Sequence, residues 1–280
     1  MTSITFLGTG GDMYVVSRGI RQSSCVVIQY EGLQFVIDPG PGSLYNAYKC
    51  DIPLRGTTAV ICTTPSLLYA NDLNAVIGAM TYEGVDVTGV VVGTSEVVQG
   101  PTVMTDSSAQ ESKQVEFPWL RSTYREFVER VIIANSEKRI GIQDADIDFY
   151  PTINNGDSVG MKIQLPDVTI GYVPDTGFSV AMAKSYEDCD ILILSVPLPI
   201  GAKSKSLLSS DDAIKFIEKV KPKLAIITRF GKAMLESDPL QEARMIHAKT
   251  DVQVLAVTDG QVISPSSYSA RGKQKRLNTY

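Results

Sequence analysis

Two successive series of short apolar runs limit the folds open to this chain. They lie at residues 25–30, 34–37 and 60–62 in the first half, and at residues 168–173 and 191–196 in the second. Their length and the turn residues between them indicate strands, and apolar residues at helical spacing return between the runs. Strands that alternate with helices are typical of layered α/β folds. The sequence therefore predicts an α/β fold with two central sheets that helices cover on both sides.

Length and composition favour one large domain. The chain has 280 residues, of which 44% are hydrophobic and 20% are charged, and a chain of this size can bury a sizeable core. We expect that domain over residues 1–265. Residues 100–118 are polar and rich in Ser, Thr and Gln, which predicts a long surface loop, either a lid or a disordered insertion. Residues 266–280 are predicted to form a basic, flexible tail.

Helices and closing strands are predicted from local patterns in the chain. Apolar residues recur at helical spacing over residues 71–80, and helices are also expected over residues 209–219 and 239–249. The second of these helices opens with Ser-Ser-Asp-Asp, residue types that stabilise a helix N-terminus. Residues 252–257 and 262–263 are predicted to be strands that close the sheet through a turn.

Cysteines, hydropathy and charge restrict the functional classes. Cys25, Cys50, Cys62 and Cys189 include no C-x-x-C pair, which is typical of reduced thiols that pack as small hydrophobic residues. No apolar run approaches the roughly 20 residues that cross a bilayer, and the N-terminus lacks the features of a signal peptide. We therefore expect a cytoplasmic protein without a membrane partner. The net charge of −5 disfavours a general nucleic-acid surface.

Five ordered motifs carry a resemblance to a known superfamily. They are F-L-G-T-G-G from Phe6, I-D-P-G-P-G from Ile37, G-Y-V-P-D-T-G from Gly171, L-S-S-D-D-A from Leu208 and I-T-R-F-G from Ile227. In this order and at about this spacing, the motifs resemble the metallo-β-lactamase superfamily, and most of all its compact hydrolases common in archaea. The resemblance covers nearly the whole chain. It implies an αββα sandwich of two mixed sheets and, in active members, a binuclear metal site.

The residues that would hold those metals are absent from this sequence. The segment from Ala59 to Leu73 resembles the strand, loop and helix start that carry T-H-x-H-x-D-H in the superfamily. The next histidine falls at Ile153 or Asn154, the histidine that often precedes L-S-x-D-D falls near Leu207, and the bridging aspartate is retained. The former metal-site positions implied by the resemblance are Thr64, Ser66, Leu68, Tyr69, Asn154, Asp175 and Arg229.

These replacements argue against metal-dependent chemistry. A binuclear centre needs several imidazole and carboxylate ligands, and the chain has one histidine, His247, in a predicted helix far from every motif. We expect His247 to be a partly exposed helical residue. Leu68 offers no lone pair, and Arg229 would repel a divalent cation. A metal-free nucleophile at Ser66 or Tyr69 would have no histidine base. We therefore predict no metal cofactor.

The remaining aspartates receive structural interpretations. Asp175 is expected to cap the next helix or to pair with a cation, and we predict a two-point ion pair with Arg229, helped by the Tyr69 and Ser66 hydroxyls. Asp38 is expected to order the Pro-Gly turn by accepting backbone N–H groups. Asp72 is expected in the first turn of its helix.

The sequence thus predicts a catalytically silent protein that acts by binding. The partner is expected to be another protein, a second copy of the chain, or a small ligand in the former active-site cleft. One alternative is a metal-dependent hydrolase or phosphodiesterase with an atypical centre around Asp175. A second alternative is nucleic-acid binding, because phosphodiester-cleaving members share the fold and the tail is basic, although the acidic protein disfavours it. The basic residues of the tail are Arg271, Lys273, Lys275 and Arg276.

Overall fold

Fourteen strands form two sheets within residues 1–101, 118–136, 138–154 and 156–269, which are the residues described by this computed structural model. The strands are β1 (Ser3–Gly8), β2 (Cys25–Tyr30), β3 (Leu33–Ile37), β4 (Ala59–Cys62), β5 (Val90–Gly93), β6 (Arg130–Ile133), β7 (Arg139–Ile142), β8 (Ala145–Pro151), β9 (Val159–Gln164), β10 (Thr169–Val173), β11 (Ile191–Ser195), β12 (Leu224–Thr228), β13 (Gln253–Ala256) and β14 (Gln261–Ile263).

Each sheet is mixed, with an antiparallel half and a parallel half. The first sheet has the order β14-β1-β2-β3-β4-β5-β6, and β3 through β6 are mutually parallel. The second sheet has the order β13-β12-β11-β10-β9-β8-β7, and β10 through β13 are mutually parallel. The remaining neighbours pair antiparallel. Because parallel strands need crossover connections, helices are placed on the outer faces of both sheets.

The helices complete the sandwich. They are α1 (Met13–Ser17), α2 (Ser43–Lys49), a 3-10 turn (Leu54–Gly56), α3 (Leu67–Ala70), α4 (Leu73–Thr81), α5 (Ser95–Gln99), α6 (Ser122–Arg125), α7 (Val180–Lys184), α8 (Ser210–Val220), α9 (Lys232–Glu236), α10 (Pro239–Thr250) and α11 (Ser266–Ser269). In the described part of the chain, none of them is both long and apolar enough to cross a bilayer.

Three hydrophobic clusters define the layers. The central cluster contains residues of both sheets, including Phe6 and Phe35 from the first and Phe149 from the second. A second cluster joins the outer face of the second sheet to α7, α8 and α10. A third joins the outer face of the first sheet to α2 and α4. Three apolar layers between four layers of secondary structure confirm the predicted αββα sandwich.

The end of the chain departs from the expected path. Residues 252–257 and 262–263 were expected to close one sheet together, but β13 pairs with β12 in the second sheet and β14 pairs with β1 in the first. The turn between them therefore crosses from one sheet to the other. The predicted surface loop lies almost entirely outside the described residues, as does the predicted tail from residue 270 onward. The tail's first part is the short helix α11.

Most of the predicted helix positions are confirmed. Ser209 caps α8 in a reciprocal capping box with Asp212, as the Ser-Ser-Asp-Asp sequence suggested. The helix expected over residues 71–80 is α4, which begins at Leu73 after the separate short helix α3. Asp72 is the N-cap residue of α4, one position before its first turn.

Candidate functional site

Four polar residues follow strand ends on one edge of the sandwich. Asp38 comes directly after β3 and Thr63 directly after β4 in the first sheet, whereas Asp175 follows β10 by two residues and Arg229 directly follows β12 in the second. The carboxyl ends of parallel strands lie on the same edge of a sheet, which is the usual place for ligand sites in α/β folds. The fold therefore brings together residues that lie up to 191 positions apart in the sequence.

Asp38 joins the two sheets inside this site. Its carboxylate is fully buried and accepts hydrogen bonds from the Thr63 backbone N–H at 2.7 Å, the Thr63 hydroxyl at 2.8 Å and the Tyr172 hydroxyl at 2.7 Å. Burial raises the pKa of Asp38 to about 6, although these hydrogen bonds and the nearby charge of Arg229 act in the opposite direction. The expectation that Asp38 orders its own Pro-Gly turn was wrong, because its side-chain oxygens bond to other strands.

Arg229 is the most unusual residue of the site. Its side chain is 1% exposed, and its Cζ atom lies 3.7 Å from the centroid of the Tyr69 ring. This is a stacked cation–π contact in a desolvated setting, where such contacts are strongest. The three guanidinium nitrogens have no hydrogen-bond acceptor among the residues that the structure describes. Arginine stays charged in proteins, so the site holds a fixed, buried positive charge.

The backbone at Arg229 is held by the N-terminal loop. Its φ angle is +59°, in the left-handed region that side-chain-bearing residues adopt rarely. The Phe230 N–H donates to the Thr9 carbonyl at 2.7 Å, and the Gly11 N–H donates to the Phe230 carbonyl at 2.9 Å. A Cβ atom on Gly11 would lie 1.9 Å from the Arg229 carbonyl oxygen, so glycine is required at position 11. Tertiary contacts therefore impose the strained conformation.

Asp175 contacts Arg229 at one point. Its Oδ1 atom lies 3.5 Å from Arg229 Nε and accepts a short hydrogen bond from the Ser195 hydroxyl. The predicted ion pair is confirmed, but the predicted two-point geometry was wrong. The Tyr69 hydroxyl does not reach the carboxylate; it accepts the Asp175 backbone N–H at 2.9 Å. Asp175 also does not cap the following helix, because Ser179 is the N-cap residue of α7.

The other former metal-site positions are Thr64, Ser66, Leu68 and Asn154. Asn154 donates its side-chain N–H to the Asp175 carbonyl at 3.2 Å, and the Ile153 N–H donates to the Thr176 hydroxyl at 2.7 Å. Thr64 shares a hydrogen bond of 2.8 Å with the Ser158 hydroxyl. Ser66 is the N-cap residue of α3, but its side chain makes no capping hydrogen bond. Thr64, Ser66, Leu68 and Asn154 are all partly exposed.

Two contributors to the site were not identified from the sequence. Tyr172 is buried and bonds to Asp38, and Ser195 bonds to Asp175. The run 168–173 marked Tyr172 as buried, and a buried tyrosine hydroxyl usually needs a partner, so this residue could have been suspected. Ser195 is the last residue of an apolar strand, and nothing in its sequence context indicates the contact.

The donor set does not fit a binuclear metal centre. In the described residues, no three His, Cys, Asp or Glu side chains converge to hold a metal ion. The single histidine, His247, is exposed on α10 as expected, and its Nδ1 atom lies 2.7 Å from the Val252 carbonyl oxygen. The buried guanidinium lies beside Asp175, where a bridging ligand would need to face the metals. The residues present therefore disagree with the metal site that the fold implies.

The tyrosine and cysteine side chains near the cluster keep their protons. Burial raises the pKa of Tyr69 and of Tyr172 well above the usual tyrosine value, so both hydroxyls stay protonated near neutral pH. Burial also raises the pKa values of the Cys25 and Cys62 thiols. All four cysteines are free, as expected. None of these groups supplies an activated nucleophile.

Comparisons with known proteins define the fold. No protein-family model matches the chain. An uncharacterized protein of Methanocaldococcus jannaschii, MJ1374, is 25% identical over 257 residues, covering 90% of this chain and 91% of its own length. Among solved structures, the metallo-β-lactamase-fold protein YhfI of Bacillus subtilis has a TM-score of 0.73 at 14% identity, and the match covers 94% of this chain and 98% of YhfI.

Two further structures agree. The unliganded yeast PDE1 structure has a TM-score of 0.67 at 12% identity over 93% of this chain and 98% of its own. Igni18, described as a metallo hydrolase from Ignicoccus hospitalis, has a TM-score of 0.62 at 14% identity over 93% of this chain and 97% of its own. The chain therefore has the metallo-β-lactamase fold, as its motifs suggested. Within that fold it is a degenerate version, because it lacks the histidine-rich metal-ligand motif.

Proposed function

We propose that the protein is a catalytically silent member of the metallo-β-lactamase fold that acts by binding. One observation carries this proposal: the buried residues Tyr69 and Arg229, together with the partly exposed Asp175, occupy the strand ends where the fold's metal ligands converge. Asp175 partly neutralises the charge of Arg229, and Arg229 replaces the metal ions as the source of positive charge in the site. We place its action in the former active-site cleft.

Electrostatics explains why such a site would reject a divalent metal. Two unit charges about 4 Å apart interact by roughly 4 kcal/mol at the effective dielectric constant of protein sites, so a dication beside the guanidinium would be opposed by roughly twice that amount. Asp175 is the only carboxylate in contact with Arg229 among the described residues, and it also accepts from Ser195. A single carboxylate is insufficient to offset this repulsion and to replace the missing imidazoles.

A small ligand is the occupant that the cleft supports best. The cluster is fully buried at Tyr69 and Arg229, whereas Ser66, Leu68 and Asn154 beside it are partly exposed. A few convergent polar groups fix the orientation of the ligand in most small-molecule sites. A protein partner or a second copy of the chain would need to cover the same mouth. We further propose a cytoplasmic location, in keeping with the four free cysteines.

Metal content and hydrolysis together test the proposal. Protein purified without chelator is analysed for zinc, iron and manganese, and assayed on phosphodiester, phosphomonoester and lactam test substrates with each metal added. We expect far less than one metal per chain and no chelator-sensitive turnover. A variant carrying Thr64→His, Ser66→His, Leu68→Asp, Tyr69→His and Arg229→His serves as the matched comparison for metal uptake. Near-equimolar metal in the unmodified protein, with activity that a chelator abolishes, would overturn the proposal in favour of an atypical hydrolase.

A further inference from the structure

The guanidinium of Arg229 has more donors than the protein uses. The group carries five N–H bonds, and its one ionic contact, from Nε to Asp175, is 3.5 Å long. Nη1 and Nη2 have no acceptor within the described residues. Buried charged donors nearly always have an acceptor, because leaving one unmatched is unfavourable. The Nη1 and Nη2 edge of Arg229 therefore lacks the acceptor that a buried guanidinium needs, and two oxygens in one plane would match it.

Further buried hydroxyls lie in the loops around this residue. Ser23 and Thr228 each have a buried hydroxyl without a partner in the described part of the chain. Thr228 directly precedes Arg229, and Ser23 pairs with Gly10, which in turn pairs with Phe230. A Cβ atom on Gly40 would overlap both the Ser23 hydroxyl and the Leu68 carbonyl oxygen, so these two groups lie close to Gly40. Unmatched donors are thus concentrated where the loops after β1, β3 and β12 meet.

We propose that Arg229 binds the carboxylate group of a small molecule that enters the cleft past Ser66, Leu68 and Asn154. This inference rests on the proposed function and specifies its ligand. A guanidinium edge and a carboxylate match at two points. Asp175 occupies the Nε side, so the ligand takes the opposite edge. Arg229 is then held between two carboxylates, one from the protein and one from the ligand.

The charge of the site favours a carboxylate over a phosphate group. Arg229 contributes one positive charge, whereas Asp175 and Asp38 together contribute up to two negative charges. A doubly charged phosphate would be repelled by both aspartates, while a singly charged carboxylate adds the least negative charge and keeps the two-point geometry. Phosphate thereby becomes the informative competitor in a binding test.

Thermal denaturation with propionate and acetate tests this assignment. Each is titrated upward from millimolar concentration at constant ionic strength, with chloride and inorganic phosphate as comparison anions. We expect saturable stabilisation of the unmodified protein by the carboxylates, with a rise in Tm of roughly 3 °C at ten times the Kd. The variant Arg229→Lys should lose at least about tenfold in affinity, because an ammonium group cannot bind at two points. Arg244→Lys, at an exposed position on α10, should bind as the unmodified protein does.

A crystal of the unmodified protein grown with propionate gives a second measurement that does not depend on a variant folding. A carboxylate about 3 Å from Nη1 and Nη2 would support the assignment. Equal stabilisation by chloride or phosphate, unchanged binding in Arg229→Lys, or a carboxylate bound elsewhere would indicate an adventitious ion only and overturn it. The same sample is analysed for metal. Bound metal would contradict the proposed function, whereas a metal-free protein that binds no carboxylate would contradict only this inference.

Discussion

Replacing Arg229 with alanine tests whether the buried cluster stabilises the fold. The substitution removes a desolvated cation–π contact with Tyr69, worth about 2 kcal/mol. It also leaves Asp175 without its cation, and breaking a buried pair from one side costs roughly 3–5 kcal/mol. The Asp175 side chain is 21% exposed and retains the hydrogen bond from Ser195, which reduces the second contribution.

One effect acts in the opposite direction. The guanidinium nitrogens have no acceptors in the described residues, so their removal relieves an unfavourable burial of polar groups. Taken together, these contributions predict that Arg229→Ala lowers the free energy of unfolding by roughly 3 kcal/mol. Adding Asp175→Asn should recover part of this loss, because the unpaired carboxylate is then gone.

Urea denaturation monitored by circular dichroism measures these differences. Arg229→Met is the matched variant: it fills the volume without the unpaired donors, and it should lose less stability than Arg229→Ala. Arg244→Ala, on the exposed face of α10, should change stability by no more than about 0.5 kcal/mol. If Arg229→Ala is as stable as the unmodified protein, or if the double variant is no better than the single one, the pairing argument is refuted.

Three further substitutions test another residue of the site, the loop that packs against Arg229 and the start of α8. Burial raises the pKa of Asp38 from about 4 in the unfolded chain to about 6 in the folded protein, so the folded state binds the extra proton between these values. The free energy of unfolding should therefore fall by roughly 3 kcal/mol as the pH rises from about 4 to about 6. Asp38→Asn should remove this pH dependence from urea denaturation curves. Gly11→Ala should destabilise the protein by more than about 3 kcal/mol, because the new Cβ would overlap the carbonyl oxygen of Arg229. In Gly19→Ala the new Cβ meets no neighbour, so the loss should be only about 1 kcal/mol, for the positive φ angle. Similar losses at both positions would contradict the packing argument. Ser209→Ala should lower stability by about 1 kcal/mol through loss of the α8 capping box, and an unchanged denaturation midpoint would show that the cap contributes nothing.

The sequence by itself determined the fold and the loss of the metal ligands. Short apolar runs identified strands in both sheets, among them β2, β3, β4, β10 and β11. Local motifs such as the capping box at Ser209 identified helix starts. These features depend on neighbours within a few residues, so a linear pattern can report them. The absence of histidines at Thr64, Ser66 and Tyr69 needed no structure either, because residue identity alone excludes imidazole ligands.

Only the tertiary structure decided how the vacated positions are used. The stacking of Arg229 on Tyr69 joins residues 160 positions apart, and the bond from Tyr172 to Asp38 joins residues 134 positions apart across two sheets. The pairing of β13 with β12 and of β14 with β1, in different sheets, likewise depends on contacts between distant parts of the chain. Such contacts are set by strand order and by the direction of each side chain at a strand end. Local periodicity encodes which residues are buried, but not which residue of the opposite sheet they meet.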